Sequence, residues 1–155
     1  MTTVDDFLAA GSGVPTAKFP DIGDAHKGVI LSMEKRQARD IDNNPKTWDD
    51  GSPVMQWVID LATDERDPAI TDDDGTRRLY VKGGKAVGTK GGKSLEEAIR
   101  DATRKLAETG YKGTLVGCEL AVKYLEDGEP SKRGFSGPKL YKAQLTAPLV
   151  DIDDF

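Results

Sequence analysis

The stretch Arg77-Arg78-Leu79-Tyr80-Val81-Lys82 places Leu79 and Val81 on one side of an extended chain and Arg78, Tyr80 and Lys82 on the other. A ring held between cations can stack on a nucleobase while the cations, with Arg77 counted among them, neutralise phosphates. Two polar stretches repeat that combination. Residues 37–53, "QARDIDNNPKTWDDGSP", carry Arg39, Lys46 and Trp48 directly after Lys35 and Arg36, and "EDGEPSKRGFSGP" carries Lys132, Arg133 and Phe135. Trp48 lies among Asp, Asn, Pro and Lys, where no periodic apolar face claims it. Its burial then comes from a partner or from the loop folding over it, and for Phe135 the alternative to stacking is an anchor against the end of the domain. Trp57 shares its side with Met55, Ile59 and Leu61, and Tyr124 follows Leu120 and Val122, so both are expected in the core; Tyr141 is undecided.

The segment "GTKGGKS" (88–94) has the look of a phosphate-binding loop, but its spacing fails. The P-loop pattern needs a glycine five residues before Gly92, where this chain has Val87. A glycine-rich basic linker, with Lys82, Lys85, Lys90 and Lys93 against a nucleic-acid backbone, fits better. The carboxylates Asp64, Glu65, Asp67 and Asp72 to Asp74 raise a metal-dependent nuclease as an alternative. They match no calcium loop, because Ile70 stands where the first ligand would sit. Glu34 is followed two places later by Arg36 rather than by the lysine of a common nuclease arrangement. One histidine, His26, and one cysteine, Cys118, leave no zinc-type cluster and no internal disulfide, so no metal or cofactor is expected and the chain reads as non-enzymatic.

The net charge of −5 hides an uneven distribution: residues 1–75 hold 7 basic and 16 acidic side chains, residues 76–150 hold 15 and 8, and the last five hold 3 acids. A basic half beside an acidic half is compatible with a local polyanion-binding face. No run approaches a membrane span and the first residues lack a basic leader, so the expectation is a cytoplasmic protein with no membrane partner.

Five strands and one helix must position these groups. "KGVILSMEKR" (27–36) alternates Val29, Leu31 and Met33 against Ile30, Ser32 and Glu34, and "VMQWVIDL" (54–61) repeats the pattern. An Asp-Gly turn signal in "TDDDGT" precedes the third strand at "RRLYVKG". "SLEEAIRDATRKLAETG" (94–110) is an amphipathic helix with the stripe Leu95, Ile99, Ala102 and Leu106, a capping box at Ser94 and Glu97, and Gly110 to end it. Residues 113–125 and 139–146 read as the last two strands. Residues 1–25 read as a flexible arm, 26–147 as the binding domain and 148–155 as an acidic tail.

Three strands, a helix and two strands resemble the OB-fold, a five-stranded Greek-key barrel that binds oligonucleotides on strands two and three and through the loops after strands one and four. The chain ends in "DIDDF", three carboxylates before an aromatic ring. With the barrel order, this ending is similar to the single-stranded DNA-binding protein family, in a compact phage-type form. The proline usual before the last phenylalanine is replaced by Asp154, and only Ala147-Pro148-Leu149-Val150 tether the acids. The resemblance implies sequence-tolerant binding of single-stranded DNA in replication, recombination or repair, in bacterial cytoplasm. It also implies recruitment of replication or recombination proteins through Asp151, Ile152, Asp153, Asp154 and Phe155. RNA binding is the alternative within the same fold, and self-association is left open.

Overall fold

The computed structural model describes residues 14–82, 86–129 and 137–148. The elements are β1 (Ala25–Gln37), β2 (Met55–Thr63), β3 (Thr76–Val81), α1 (Leu95–Glu108), β4 (Glu119–Asp127) and β5 (Lys139–Thr146). They form one antiparallel sheet ordered β3-β2-β1-β4-β5, with a single helix, so the protein is mainly β. The inner face of the sheet closes over Ile59, Leu61, Leu79, Leu120 and Val122 and meets Leu95, Ile99, Ala102 and Leu106 of α1 in one buried cluster. Burial of these aliphatic side chains is the main driving force, at roughly 1.5–3 kcal/mol for each that is fully enclosed.

The helix starts and stops as its sequence specifies. The Ser94 side chain accepts from the Glu97 backbone N–H, and Gly110 follows with φ of 95°, a left-handed conformation that glycine adopts without steric cost.

Strand β1 departs from simple alternation. A bulge between Ile30 and Ser32 shifts the register against β2 and reverses which residues point inward. Ile30 is therefore buried and Met33 packs against the core, whereas Val29 and Leu31, expected to share a face with Met33, are exposed. Strand β4 starts at Glu119, six residues later than expected, because the chain before it is tied into turns: Gly117 N–H donates to Ile30 O and Cys118 N–H to Leu115 O.

The segment before β1 is no free arm from Val14 onward. Ala17 N–H donates to Arg78 O and Arg78 N–H to Pro15 O, both at 2.8 Å, so this segment pairs in parallel with the outer edge of β3. Phe19 is buried with its ring edge-on to Tyr141 of β5 and to His26, while Lys139 Nζ donates to Phe19 O. His26 sits between the Glu65 carboxylate and Lys18 O, at 2.6 Å from each. The segment thus covers the outer edge of β3 and reaches β5 through side chains, while the edge of β5 is paired by Lys93, whose N–H donates to Tyr141 O and whose carbonyl accepts from Tyr141 N–H.

Candidate nucleic-acid interface

Cross-strand register assembles the outer face of β1–β3 in rows. Glu34, Val58 and Tyr80 are aligned, as are Ser32, Asp60 and Arg78; Arg36 faces Gln56, and Lys82 continues beyond Val81. Tyr80 is 42% exposed. Two of the cations around it, Arg78 and Arg36, are already engaged by acids. Arg78 makes a two-pronged contact with Asp60, at 2.8 and 3.0 Å, and this hydrogen bonding, with a smaller contribution from the Tyr80 side chain, raises the guanidinium further above its ordinary pKa. Arg36 donates to Glu34 at 2.6 Å, which holds the Glu34 carboxyl below its usual range. Gln56 Oε1 is buried and has no hydrogen-bond partner among the described residues, an acceptor whose desolvation is uncompensated until a donor reaches it.

The loop at residues 38–54 projects from the Gln37–Met55 end of the sheet, the end where Lys82 also emerges. It is built as two successive turns. Ala38 N–H donates to Val54 O, Lys46 N–H to Ala38 O and Val54 N–H to Lys46 O, which pins Lys46 at the centre. The Asp40 carboxylate caps the first turn by accepting from the N–H groups of Asp42 and Asn44. Asp50 does the same in the second, for Ser52. Trp48 opens that second turn and is 61% exposed, so the loop does not fold over it. Arg39 is exposed and donates to Asn43 O.

The remaining predicted contacts divide sharply. Arg77 does not belong to the outer face: it points inward beside Leu79, with only 6% of its side chain exposed, and binds Asp73 through both terminal nitrogens, with Glu65 at 3.8 Å. A buried guanidinium with two carboxylate partners is a structural ion pair, unavailable to a phosphate. Lys93 is likewise tied, to Asp101 of the helix. Lys35, Lys46, Lys82 and Lys90 are exposed and make no ion pair among the described residues. Lys35 lies cross-strand from Trp57, which is only partly buried against the core, so it shares the inner row's parity rather than that of Tyr80. Lys85, Lys132, Arg133, Phe135 and residues 151–155 lie outside the described residues.

The glycine-rich stretch has a function its sequence did not reveal. Val87 pairs with Lys93, and Gly88 N–H donates to Gly92 O across a tight turn. The Glu126 carboxylate enters that turn and accepts from Lys90 N–H and Gly92 N–H, both at 2.9 Å, and from the Thr89 hydroxyl. A β-bulge between Tyr124 and Glu126 aims the carboxylate there. Any side chain at Gly88 would collide with it, since a Cβ would lie 2.2 Å from the Glu126 carboxyl carbon. The expected backbone-contacting linker therefore has its amide donors engaged internally. Alternation in β2 placing Asp60 near Arg78 was legible in principle, whereas Glu126, 36 residues from Lys90, carried no local signal.

Four of the acidic residues considered for a nuclease are engaged: Asp73 with Arg77, Glu65 with His26, Asp67 with Ala69 N–H and Asp74 with Thr76 N–H. Among the described residues no group of three or more His, Cys, Asp or Glu side chains is placed to hold a metal ion, and no helix is long and apolar enough to cross a membrane. No protein-family model, curated protein or solved structure matches the chain.

Proposed function

We propose that the protein is an OB-type β-barrel that binds single-stranded DNA with little sequence preference, in replication, recombination or repair, and recruits partner proteins through residues 151–155. The observation that carries the reading is Tyr80: a half-exposed ring on the outer sheet face, aligned between Arg78 and Lys82, at the side of the sheet bearing Arg36 and Gln56. The ordered loop with Lys46 and exposed Trp48 supplies a second ring and a second cation next to that face. Rings stack on any base and lysines follow any backbone, which is the chemistry of sequence-tolerant single-strand binding.

Titration of labelled oligo-dT across several salt concentrations tests this. Tyr80→Ala and Trp48→Ala are each expected to weaken binding by about 1–3 kcal/mol while leaving the salt slope nearly unchanged. Wild-type affinity in both variants would refute the interface. Tighter binding to a matched single-stranded RNA would move the assignment to RNA, and degradation of the oligonucleotide with Mg²⁺ or Mn²⁺ would move it to a nuclease.

A further inference from the structure

An apolar cavity of about 350 Å³ opens between α1 and the inner face of β1–β3. Its floor is Met33, Trp57 and Val81 from the sheet, its wall is Ile99 and Ala107 from the helix, and Leu115 completes the apolar lining. It exists because α1 packs chiefly against β5, leaving the side facing β1–β3 open. Trp57, expected to be core, is consequently only partly buried. Arg100 and Arg104 stand at the rim, 52% and 60% exposed. Each donates to a carboxylate of its own helix, Glu96 or Asp101, and a guanidinium with five N–H donors retains others for a second anion.

We propose that residues 149–155, Leu-Val-Asp-Ile-Asp-Asp-Phe, dock in this cavity of their own chain. The exit point favours it. Pro148 lies beside Gly117, with its Cγ 3.8 Å from where a Cβ would stand on that glycine, and Gly117 is two residues from Leu115 of the cavity lining. Seven extended residues reach roughly 24 Å. The helix wall from Ile99 to Ala107 is only about 12 Å long at 1.5 Å per residue. The composition matches as well: Leu149, Val150, Ile152 and Phe155 supply apolar side chains for the floor, and Asp151, Asp153 and Asp154 supply charges for Arg100 and Arg104. Such a short tether keeps the segment at high effective concentration, so weak contacts suffice. The cavity is on the inner side of the sheet, opposite Tyr80, so docking there leaves the outer face free and withholds the tail from other proteins. The inference does not depend on nucleic-acid binding.

Methyl NMR of the full chain, without nucleic acid, tests it. The Ile152→Ser, Phe155→Ser double variant leaves every residue of the buried cluster unchanged, and a far-UV CD spectrum and thermal melt matching wild type check its fold. The methyl resonances of Met33, Ile99 and Leu115 are expected to shift between wild type and variant, and rising salt should move the wild-type positions toward those of the variant. Arg104→Glu should produce the same displacement in smaller degree. Coincident spectra at all three methyl sites would overturn the proposal, and so would a wild-type shift that vanishes on dilution, which would mean docking onto a second copy. Because the readout is the free protein, failure of DNA binding would leave this result unaffected, and the reverse holds too.

Discussion

The glycine-rich turn at 87–93 and the outer face of β1–β3 both present donors suited to an anion, yet they treat those donors in opposite ways. In the turn, the N–H groups of Lys90 and Gly92 and the Thr89 hydroxyl converge on Glu126, and the neighbouring Lys93 is paired with Asp101. On the outer face, Arg36 and Arg78 are each held by one acid, but Tyr80, Lys82 and the nearby Lys46 and Trp48 remain exposed. Residue type is similar in the two regions. What differs is whether an internal carboxylate arrives from a distant strand, and a buried carboxylate satisfied by amides makes a rigid joint rather than a receptor.

The largest effect should come from removing that internal anion. Glu126→Ala would leave the turn's donors buried and unpaired, and is expected to lower the unfolding free energy by about 3 kcal/mol or more in urea melts. Glu126→Gln, which keeps one accepting oxygen, should lose less. Oligonucleotide affinity of the Gln variant should match wild type; a marked loss would show that the turn belongs to the interface and would break the contrast.

Acid should act next on the inward-facing Arg77. Hydrogen bonds from Arg77, and from the N–H groups of Asp67 and Gly75, hold the Asp73 carboxyl well below the ordinary range. A carboxyl depressed by folding contributes stability above its unfolded value, near pH 4, and loses it as pH falls through the folded value. Thermal melts of wild type should therefore fall steeply in Tm below about pH 4. Asp73→Asn should start lower at pH 7 and show a shallower acid decline. If the two profiles ran parallel, the Asp73 pairing would not be part of what acid removes.

Arg77 and Arg78 also show how far the sequence could be read. Alternation located the strands, and the stripe with its Ser94 cap located the helix, because those signals are periodic and local. The same alternation assigns adjacent arginines to opposite faces, yet the cationic run alone places Arg77 with the strand-binding residues; only the approach of Asp73 shows it as a buried pair. The bulge at Leu31 inverts one strand's parity through a backbone irregularity that no side chain announces. Ala17 and Phe19 read as part of an arm because two apolar residues among Pro, Thr and Lys make no pattern; Ala17 is buried by pairing with β3 and Phe19 by packing on Tyr141 of β5, both far along the chain. At the candidate site the exposed rings were legible from their polar surroundings, whereas the acids restraining Arg36 and Arg78 depended on register.

Single charges should give the smallest and most discriminating effects. Each phosphate-contacting cation changes the slope of log K against log salt by about 0.7 for a single strand. Asp60→Asn releases Arg78 from its two-pronged partner without altering the ring beside it, so the slope should steepen by about that amount and binding should tighten at low salt. Lys82→Gln should make it shallower by a similar step, because that lysine is exposed and unpaired among the described residues. Lys93→Gln is the control from the other region: its ammonium already faces Asp101, so the slope should not move. A slope that responds to Lys93 and ignores Lys82 would transfer the anion-binding role from the sheet face to the turn, which is the reverse of the arrangement the exposed side chains support.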